Sequence, residues 1–170
     1  ETVAICKKMN AHVIETGWAG YGINKNKGIE AAKNDWILNL DADEAIDAGL
    51  QQSILQLTLT NDEEVFDMRF KNFFCNKWIR FGEWGFDWHI RLFNRKKVKW
   101  NNAAVHENLI FPAGVKVTKL KGNILHYTVQ SREEYDAKTD HYARMNAKKY
   151  FTAGRKPNSF KQYLSPAFAF

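Results

Sequence analysis

The sequence predicts an α/β domain that continues into antiparallel strands and ends in helices. Three observations support this prediction. Helix-like and strand-like segments alternate up to about residue 45, the hydrophobic period changes to two after residue 64, and a long polar helix pattern follows residue 131. The chain has 170 residues, of which 45% are hydrophobic, so one domain with a real core is expected and wholesale disorder is excluded.

The first part has the pattern of a βαβ unit. Residues 1–9 look helical, residues 12–14 look like a short strand, and residues 24–34 look helical again after a glycine-rich turn. The nearly continuous apolar run 36–40 then suits a strand buried on both faces of a parallel sheet. We therefore expect strand, crossover helix and strand in that order.

The later elements follow from caps and periodicity. Asp47 can cap a helix, whereas Phe66, Met68 and Phe70 alternate with polar residues as in a half-exposed strand. Ser131 begins a capping-box pattern, which predicts a helix to about Thr152. Further strands are expected at residues 88–93, 105–111, 115–120 and 124–128, and a second amphipathic helical stretch beyond Pro157.

Charge is divided unevenly along the chain. Residues 1–64 carry a net charge of −6 and residues 65–170 carry +12, which gives the overall +6, and aromatic residues make up 14%. A basic, aromatic second part by itself suggests an anionic partner such as nucleic acid. Two cysteines make no disulfide scaffold and no apolar run reaches the ~20 residues of a membrane span, so a cytoplasmic setting is expected. Because the chain begins at Glu1 within a helix pattern, we also expect it to be a piece of a longer protein.

The acidic segment 41–44 is the strongest chemical signal. Asp41 and Asp43 directly follow the apolar run, and ligands of open α/β sheets bind at the carboxyl ends of strands. Two carboxylates there can hold one hard divalent cation and leave positions open for phosphate oxygens. The alternative is an acidic loop or the first turn of a helix, where Asp and Glu are also favoured.

Several short motifs occur together in an order that resembles a known family. They are Trp18-Ala19-Gly20-Tyr21-Gly22, Lys25-Asn26-x-Gly28-Ile29, Asp35 to Glu44, Arg91-Leu92-Phe93, Val105-His106-Glu107 and Leu125-His126-Tyr127. Together they resemble the family 2 glycosyltransferases over nearly the whole chain. The closer likeness is to the bacterial branch that adds glucose to lipopolysaccharide or lipooligosaccharide cores.

The resemblance implies a GT-A fold, a Rossmann-like α/β/α sandwich that uses a nucleotide-sugar donor, here a UDP-sugar, with Mn²⁺ or Mg²⁺. By position, Asp41 would lie near the ribose or the metal, and Asp43 would be the main metal ligand. Lys25 and Asn26 would bind the donor. Family members begin before Glu1 and continue past Phe170, which supports the expectation of a fragment.

Two residues of the Val-His-Glu motif are candidates for the metal side of the site. The resemblance makes His106 a further metal ligand or diphosphate contact, although a lone histidine is often only structural. Glu107 is a metal-side acid, a general base or a group that orients His106.

The catalytic base of an inverting transfer must be a carboxylate that takes the acceptor's proton. Asp87 is the first choice and Glu107 the second. Trp84 and Trp88 flank Asp87 and suit a sugar acceptor, unless they are core residues and Asp87 is a turn residue. Arg91 would hold the diphosphate, unless it makes a surface ion pair.

These expectations divide the chain into a donor-binding half (residues 1–64), an acceptor and catalytic β-rich part (65–130) and C-terminal helices (131–170). The acceptor would be a lipid-linked or core oligosaccharide. The basic and aromatic residues toward the C-terminus suggest peripheral contact with the inner membrane, unless that stretch is an ordinary packing helix. Nucleic acid is not an expected partner. The competing interpretations are a non-catalytic glycan- or nucleic-acid-binding module and a phosphotransfer enzyme such as a phosphatase.

Overall fold

A computed structural model describes residues 2–101 and 107–156, apart from the Glu83 side chain. Over these residues the chain forms four α-helices, eight strands and one 3₁₀ turn at Glu83–Gly85. The helices are α1 (Thr2–Lys8), α2 (Tyr21–Ala31), α3 (Ala48–Leu55) and α4 (Arg132–Thr152). The strands are β1 (Trp36–Leu38), β2 (Glu44–Ile46), β3 (Glu64–Phe74), β4 (Lys77–Trp78), β5 (Trp88–Asn94), β6 (Lys99–Trp100), β7 (Leu109–Ile110) and β8 (Lys116–Val129).

The chain divides into two compact units. The first unit consists of Glu1–Leu38, Leu59–Val65 and Leu92–Val117, and the second of Asn39–Thr58, Phe66–Arg91 and Thr118–Phe170. In the first unit β1 pairs antiparallel with the end of β5, and β6 pairs with β7. Its core contains Ile29, Val65, Leu92, Phe93, Val98 and Trp100, all buried.

The second unit is built on strands β5, β3, β8 and β2, which are neighbours in that order, with β4 paired to β3. Strand β3 alternates as predicted, because Phe66, Met68 and Phe70 are buried while Asp67 and Arg69 are partly exposed. Helix α3 begins at the predicted cap, where Asp47 Oδ1 accepts a hydrogen bond from Leu50 N at 2.8 Å. These contacts build the core on which the acidic segment lies.

A close approach between α3 and β8 requires glycine at position 122. Gly122 has a φ of +97°, and a Cβ atom at this position would lie 2.0 Å from Leu50 N. Strand β8 passes through Gly122 without a break, so the two strands predicted at 115–120 and 124–128 are one. The prediction of two separate strands was therefore wrong, because a glycine inside a strand can mark a close approach of another backbone segment and not the end of the strand.

Two other local predictions are corrected. Residues 12–14 form no strand, since β-branched residues favour strands only where a neighbouring strand pairs with them, and His12 and Ile14 are exposed instead. Strand β1 has an antiparallel neighbour where a parallel sheet was expected. A continuous apolar run indicates that both faces of a strand are covered, but it carries no information on the direction of the next strand.

The mixed α/β class and the helix begun by Ser131 are confirmed. Ser131 Oγ accepts a hydrogen bond from Glu134 N at 3.1 Å, and α4 runs to Thr152 with Gly154 in the left-handed region beyond it. The second amphipathic stretch, from residue 160 onward, lies outside the described residues, as does His106. In the described part of the chain, no helix combines the length and the apolar character needed to cross a membrane.

Candidate active site

The acidic segment forms a turn that leads into β2. Glu44 N donates a hydrogen bond to Asp41 O at 3.1 Å, which closes the turn around residues 42 and 43. Strand β2 then pairs antiparallel with β8, and this register puts Glu44 opposite His126. Pairing of the two strands therefore brings the carboxylates of the turn next to a histidine more than 80 positions later in the chain.

Arg91 stabilises this turn from β5. Its Nη2 atom bonds the buried carboxylate of Glu44 and lies 3.4 Å from Asp41 Oδ2. The second oxygen of Glu44 accepts a hydrogen bond from Asp41 N at 3.0 Å, and the guanidinium lies over the ring of Phe70. The ion pair of Arg91 is therefore buried and not at the surface, because Glu44 supplies a buried partner. Its contact with a diphosphate stays a prediction.

A chain of polar contacts joins the two carboxylates Asp43 and Asp87. Asp43 Oδ2 lies 3.5 Å from His126 Nε2, and His126 Nδ1 lies 2.7 Å from Asn72 Oδ1. Asn72 Nδ2 in turn donates to Asp87 Oδ2 at 3.1 Å. The other oxygen of Asp87, Oδ1, lies 2.7 Å from Nε2 of His89. One amide and two imidazoles therefore hold both carboxylates.

These contacts keep both carboxylates ionised. The neighbouring His126 is the main reason why the pKa of Asp43 lies below its usual value, against the opposing effect of burial. Partial burial acts to raise the pKa of Asp87, but the hydrogen bonds from His89 and Asn72 outweigh it, so this pKa is also lowered. An ionised carboxylate can act as a metal ligand or as a general base.

The donor set suits a hard divalent cation with open coordination positions. Asp41 and Asp43 offer carboxylate oxygens, and their side chains are 37% and 40% exposed, so solvent and phosphate oxygens can reach them. Among the described residues no group of three or more His, Cys, Asp or Glu residues is arranged to enclose a metal. Asp41 and Asp43 could contribute two oxygen ligands to such a cation.

The first unit contains a separate cluster around the predicted donor residues. Lys25 Nζ pairs with Glu107 Oε1 at 2.9 Å and lies over the ring of Trp100 at 4.6 Å. Asn26 exchanges two hydrogen bonds with the Trp100 backbone, at 2.9 and 3.0 Å. The structure thus brings together Lys25, Asn26 and Glu107, and their functional roles stay predictions.

The aromatic residues beside Asp87 are anchored in the second unit. The backbone oxygen of Trp84 accepts a hydrogen bond from Asn72 at 3.1 Å, and the ring of Trp88 lies under Lys119 Nζ at 4.3 Å. Both side chains are partly exposed. Their contact with a sugar acceptor is untested and remains a prediction.

Sequence reasoning missed the residues that connect the site: Asn72, His89 and His126. A signal for Asn72 was present, because a polar residue continues the buried face of β3 after Phe66, Met68 and Phe70. His126 belongs to a motif that carried the family resemblance, but no role followed from that motif. His89 had no distinguishing pattern.

Comparisons with known proteins show which family the chain resembles. The model of the family described as "Glycosyl transferase family 2" matches residues 1–122. The chain is 28% identical over 171 residues to an uncharacterised glycosyltransferase of Rickettsia conorii, covering 95% of this chain and 61% of the relative. An uncharacterised glycosyltransferase of Rickettsia bellii is 27% identical, with coverage of 95% and 58%.

A relative with a more specific name is the lipopolysaccharide core biosynthesis glycosyltransferase LpsC of Rhizobium meliloti, which is 24% identical over 90% of this chain and 57% of its own length. The chain therefore spans about 57–61% of the length of these relatives. The mixed α/β architecture is consistent with the GT-A fold that the sequence predicted. Because the family model covers residues 1–122, well over half of the chain, the chain belongs to glycosyltransferase family 2.

Proposed function

We propose that this chain is the catalytic part of an inverting, metal-dependent glycosyltransferase. It transfers glucose from UDP-glucose to a cell-envelope glycan such as the lipopolysaccharide core. The observation that supports this best is the connection of Asp43 to Asp87 through His126 and Asn72. It holds in one unit an exposed carboxylate for the donor side and a lowered-pKa carboxylate for the acceptor side.

The donor side of the proposal rests on Asp41 and Asp43, which would hold Mn²⁺ or Mg²⁺. When bound, the cation supplies positive charge that neutralises the diphosphate leaving group. Arg91 neutralises Glu44, so this carboxylate does not compete for the cation. Lys25 and Asn26 are proposed to bind the nucleotide, as the family resemblance implies.

The acceptor side of the proposal rests on Asp87. As the acceptor hydroxyl attacks the anomeric carbon, its proton passes to the ionised carboxylate of Asp87. Trp84 and Trp88 are proposed to pack against the apolar faces of the acceptor sugar. Glu107 is the weaker candidate for the base, because it already forms an ion pair with Lys25 at 2.9 Å.

A membrane-bound acceptor fits the charge at the end of α4. Lys148 and Lys149 are exposed there, and an anionic leaflet would attract them. We therefore include peripheral contact with the inner face of the cytoplasmic membrane in the proposal. Sequence similarity to LpsC, whose name refers to lipopolysaccharide core biosynthesis, supports an envelope glycan as the acceptor class.

The direct test is calorimetry of the full-length protein with a panel of nucleotide-sugars, with and without Mn²⁺. We expect UDP-glucose to bind in the presence of Mn²⁺ and much more weakly after chelation. Asp140→Asn, at an exposed position on α4, is the matched control and should bind like the wild type. Lack of binding by every nucleotide-sugar, with or without metal, would exclude the proposed enzyme.

The same experiment separates the proposal from a non-catalytic binding module. Such a module would bind generic polyanions with steep salt dependence and would not respond to Mn²⁺. In the described part of the second unit, three cations lie over tryptophan rings: Lys71 and Arg80 over Trp78, and Lys119 over Trp88. Salt-dependent binding to heparin without nucleotide-sugar binding would favour that alternative.

A further inference from the structure

Asn72 is a buried polar residue on the apolar face of β3. Only 3% of its surface is exposed, and it follows Phe70 on the same face. A buried amide without hydrogen bonds would destabilise the fold, so its partners must satisfy it. Those partners are Trp84, Asp87 and His126, which come from two further segments of the second unit.

The orientation of the Asn72 amide follows from the chemistry of these partners. The backbone oxygen of Trp84 and the carboxylate oxygen of Asp87 only accept hydrogen bonds, and both lie 3.1 Å from Nδ2. The NH₂ group must therefore face them, so Oδ1 faces His126 Nδ1 at 2.7 Å. His126 must then donate from Nδ1. When the ring is neutral, this requires the Nδ1–H tautomer.

We propose that Asn72 is a positioning residue that holds the base Asp87 with its NH₂ group and the His126 ring with its oxygen. This inference rests on the proposed function and deepens it. Because His126 lies beside Asp43, one amide supports both the acceptor-side and the donor-side carboxylate. Asn72 occupies Oδ2 of Asp87, so the acceptor's proton goes to Oδ1, whose partner His89 is half exposed and can move aside.

Two substitutions distinguish the role of the Asn72 NH₂ group from the role of its side-chain oxygen. Asn72→Asp has the same shape and keeps an oxygen for His126 Nδ1, but it loses the donor to Asp87 and adds a like charge there. Asn72→Leu has a similar volume and loses both the NH₂ group and the oxygen. The ¹⁵N chemical shifts of His126, measured where its ring is neutral, report which nitrogen carries the proton. We expect the Nδ1–H form in the wild type and in Asn72→Asp, and the Nε2–H form to increase in Asn72→Leu.

The second readout is the turnover of the full-length protein with UDP-glucose, Mn²⁺ and the proposed acceptor, the lipopolysaccharide core. We expect Asn72→Asp to lower kcat by roughly 10- to 100-fold, as loss of an orienting hydrogen bond commonly does, with KM for UDP-glucose unchanged. Asn72→Leu should lower kcat at least as much. The matched control is Asn123→Asp, which puts a like charge beside Asp47, where Asn123 Nδ2 now donates to Oδ2 at 2.7 Å.

The spectroscopic readout needs no turnover, so it distinguishes failure of this inference from failure of the proposed function. An Nε2–H tautomer in the wild type would overturn the role of Asn72 whether or not sugar is transferred. An unchanged kcat in Asn72→Asp, or an equal loss in Asn123→Asp, would overturn it as well. Absence of transfer by the wild type would instead count against the proposed function.

Discussion

The two units hold their charged groups in different ways. In the first unit, Lys25 and Glu107 neutralise each other, and their side chains are only 15% and 16% exposed. In the second unit, Asp43 and Asp87 have imidazole and amide partners, and Arg91 bonds the buried Glu44. A lysine–carboxylate pair cancels charge, whereas an amide orients a carboxylate and leaves its negative charge in place.

This difference supports the proposed division of roles between the two units. The carboxylates Asp43 and Asp87 of the second unit have lowered pKa values, which suits a metal ligand or a general base. The carboxylate of Glu107 instead forms an ion pair with Lys25. The predictions below test this division, beginning with the largest expected effect.

Replacement of the candidate base should have the largest effect. Asp87→Asn keeps the shape of the side chain but cannot take a proton, so we expect kcat to fall by about 100- to 10,000-fold. Binding of UDP-glucose with Mn²⁺ should be unchanged in calorimetry. Glu107→Gln is the matched comparison, and a larger loss of turnover in Glu107→Gln than in Asp87→Asn would reverse the two roles.

Removal of the candidate metal ligand should weaken donor binding. In Asp43→Asn the amide carries no charge, so the affinity for Mn²⁺ in the presence of UDP-glucose should fall at least about 100-fold. Titration calorimetry measures this loss, with Asp140→Asn as the control. Wild-type affinity in Asp43→Asn would contradict the division between the two units.

Two glycines with positive φ allow a matched comparison of stability between the units. Gly122→Ala would place a Cβ atom 2.0 Å from Leu50 N, whereas a Cβ atom at Gly114, with φ +88°, meets nothing within 4 Å. We expect Gly114→Ala to lower the free energy of unfolding by about 1 kcal/mol through backbone strain alone, and Gly122→Ala to lower it by at least about 3 kcal/mol. Urea unfolding of both variants measures the difference, and equal losses would show that α3 can move away from β8.

The ion pair of the first unit should contribute to stability more than to catalysis. Lys25→Met leaves Glu107 without this partner, so we expect the free energy of unfolding to fall by about 1–2 kcal/mol. Adding Glu107→Gln should recover part of the loss, because the remaining unpaired charge is then removed. A double-mutant cycle in urea measures the coupling. A large loss of UDP-glucose binding in Lys25→Met, with unchanged stability, would instead support direct contact with the donor.

The smallest expected effect is a shift in pH dependence. His89 is one of the groups that lower the pKa of Asp87, so His89→Gln should raise this pKa. Asp87 acts as a base only when ionised, and turnover falls as the pH drops through its pKa. The acidic limb of the kcat profile should therefore move to higher pH in His89→Gln. A shift to lower pH would contradict the assigned role of Asp87.

The same substitution should also change how stability depends on pH. A carboxylate whose pKa is lowered by folding stabilises the native state above its unfolded pKa, and this contribution is lost as the pH falls through the lowered value. His89→Gln should thus lower the free energy of unfolding near pH 7, and its difference from the wild type should shrink as the pH falls. Urea unfolding at pH 7 and at pH 4 measures both quantities.

The sequence by itself determined the features that depend on neighbours along the chain. Four features could be predicted from the sequence: the helix caps at Asp47 and at Ser131, the alternation in β3, and the position of the acidic segment after an apolar run. Each of them depends on residues within a few positions, because helix and strand periods and capping hydrogen bonds are local. Family membership could be predicted for a similar reason, since short motifs keep their order along the chain.

Only the tertiary structure decided the partners of the site residues. Asn72 meets His126, and Arg91 meets Glu44, over separations of 54 and 47 positions. Likewise, the neighbour of β1 is antiparallel, although its sequence shows only that both faces are covered. Strand pairing and side-chain burial set these contacts, and no local pattern encodes which distant segment will supply the partner. Local chemistry therefore identified the carboxylates, but packing determined which of them pair with a lysine or an arginine and which contact imidazole and amide groups.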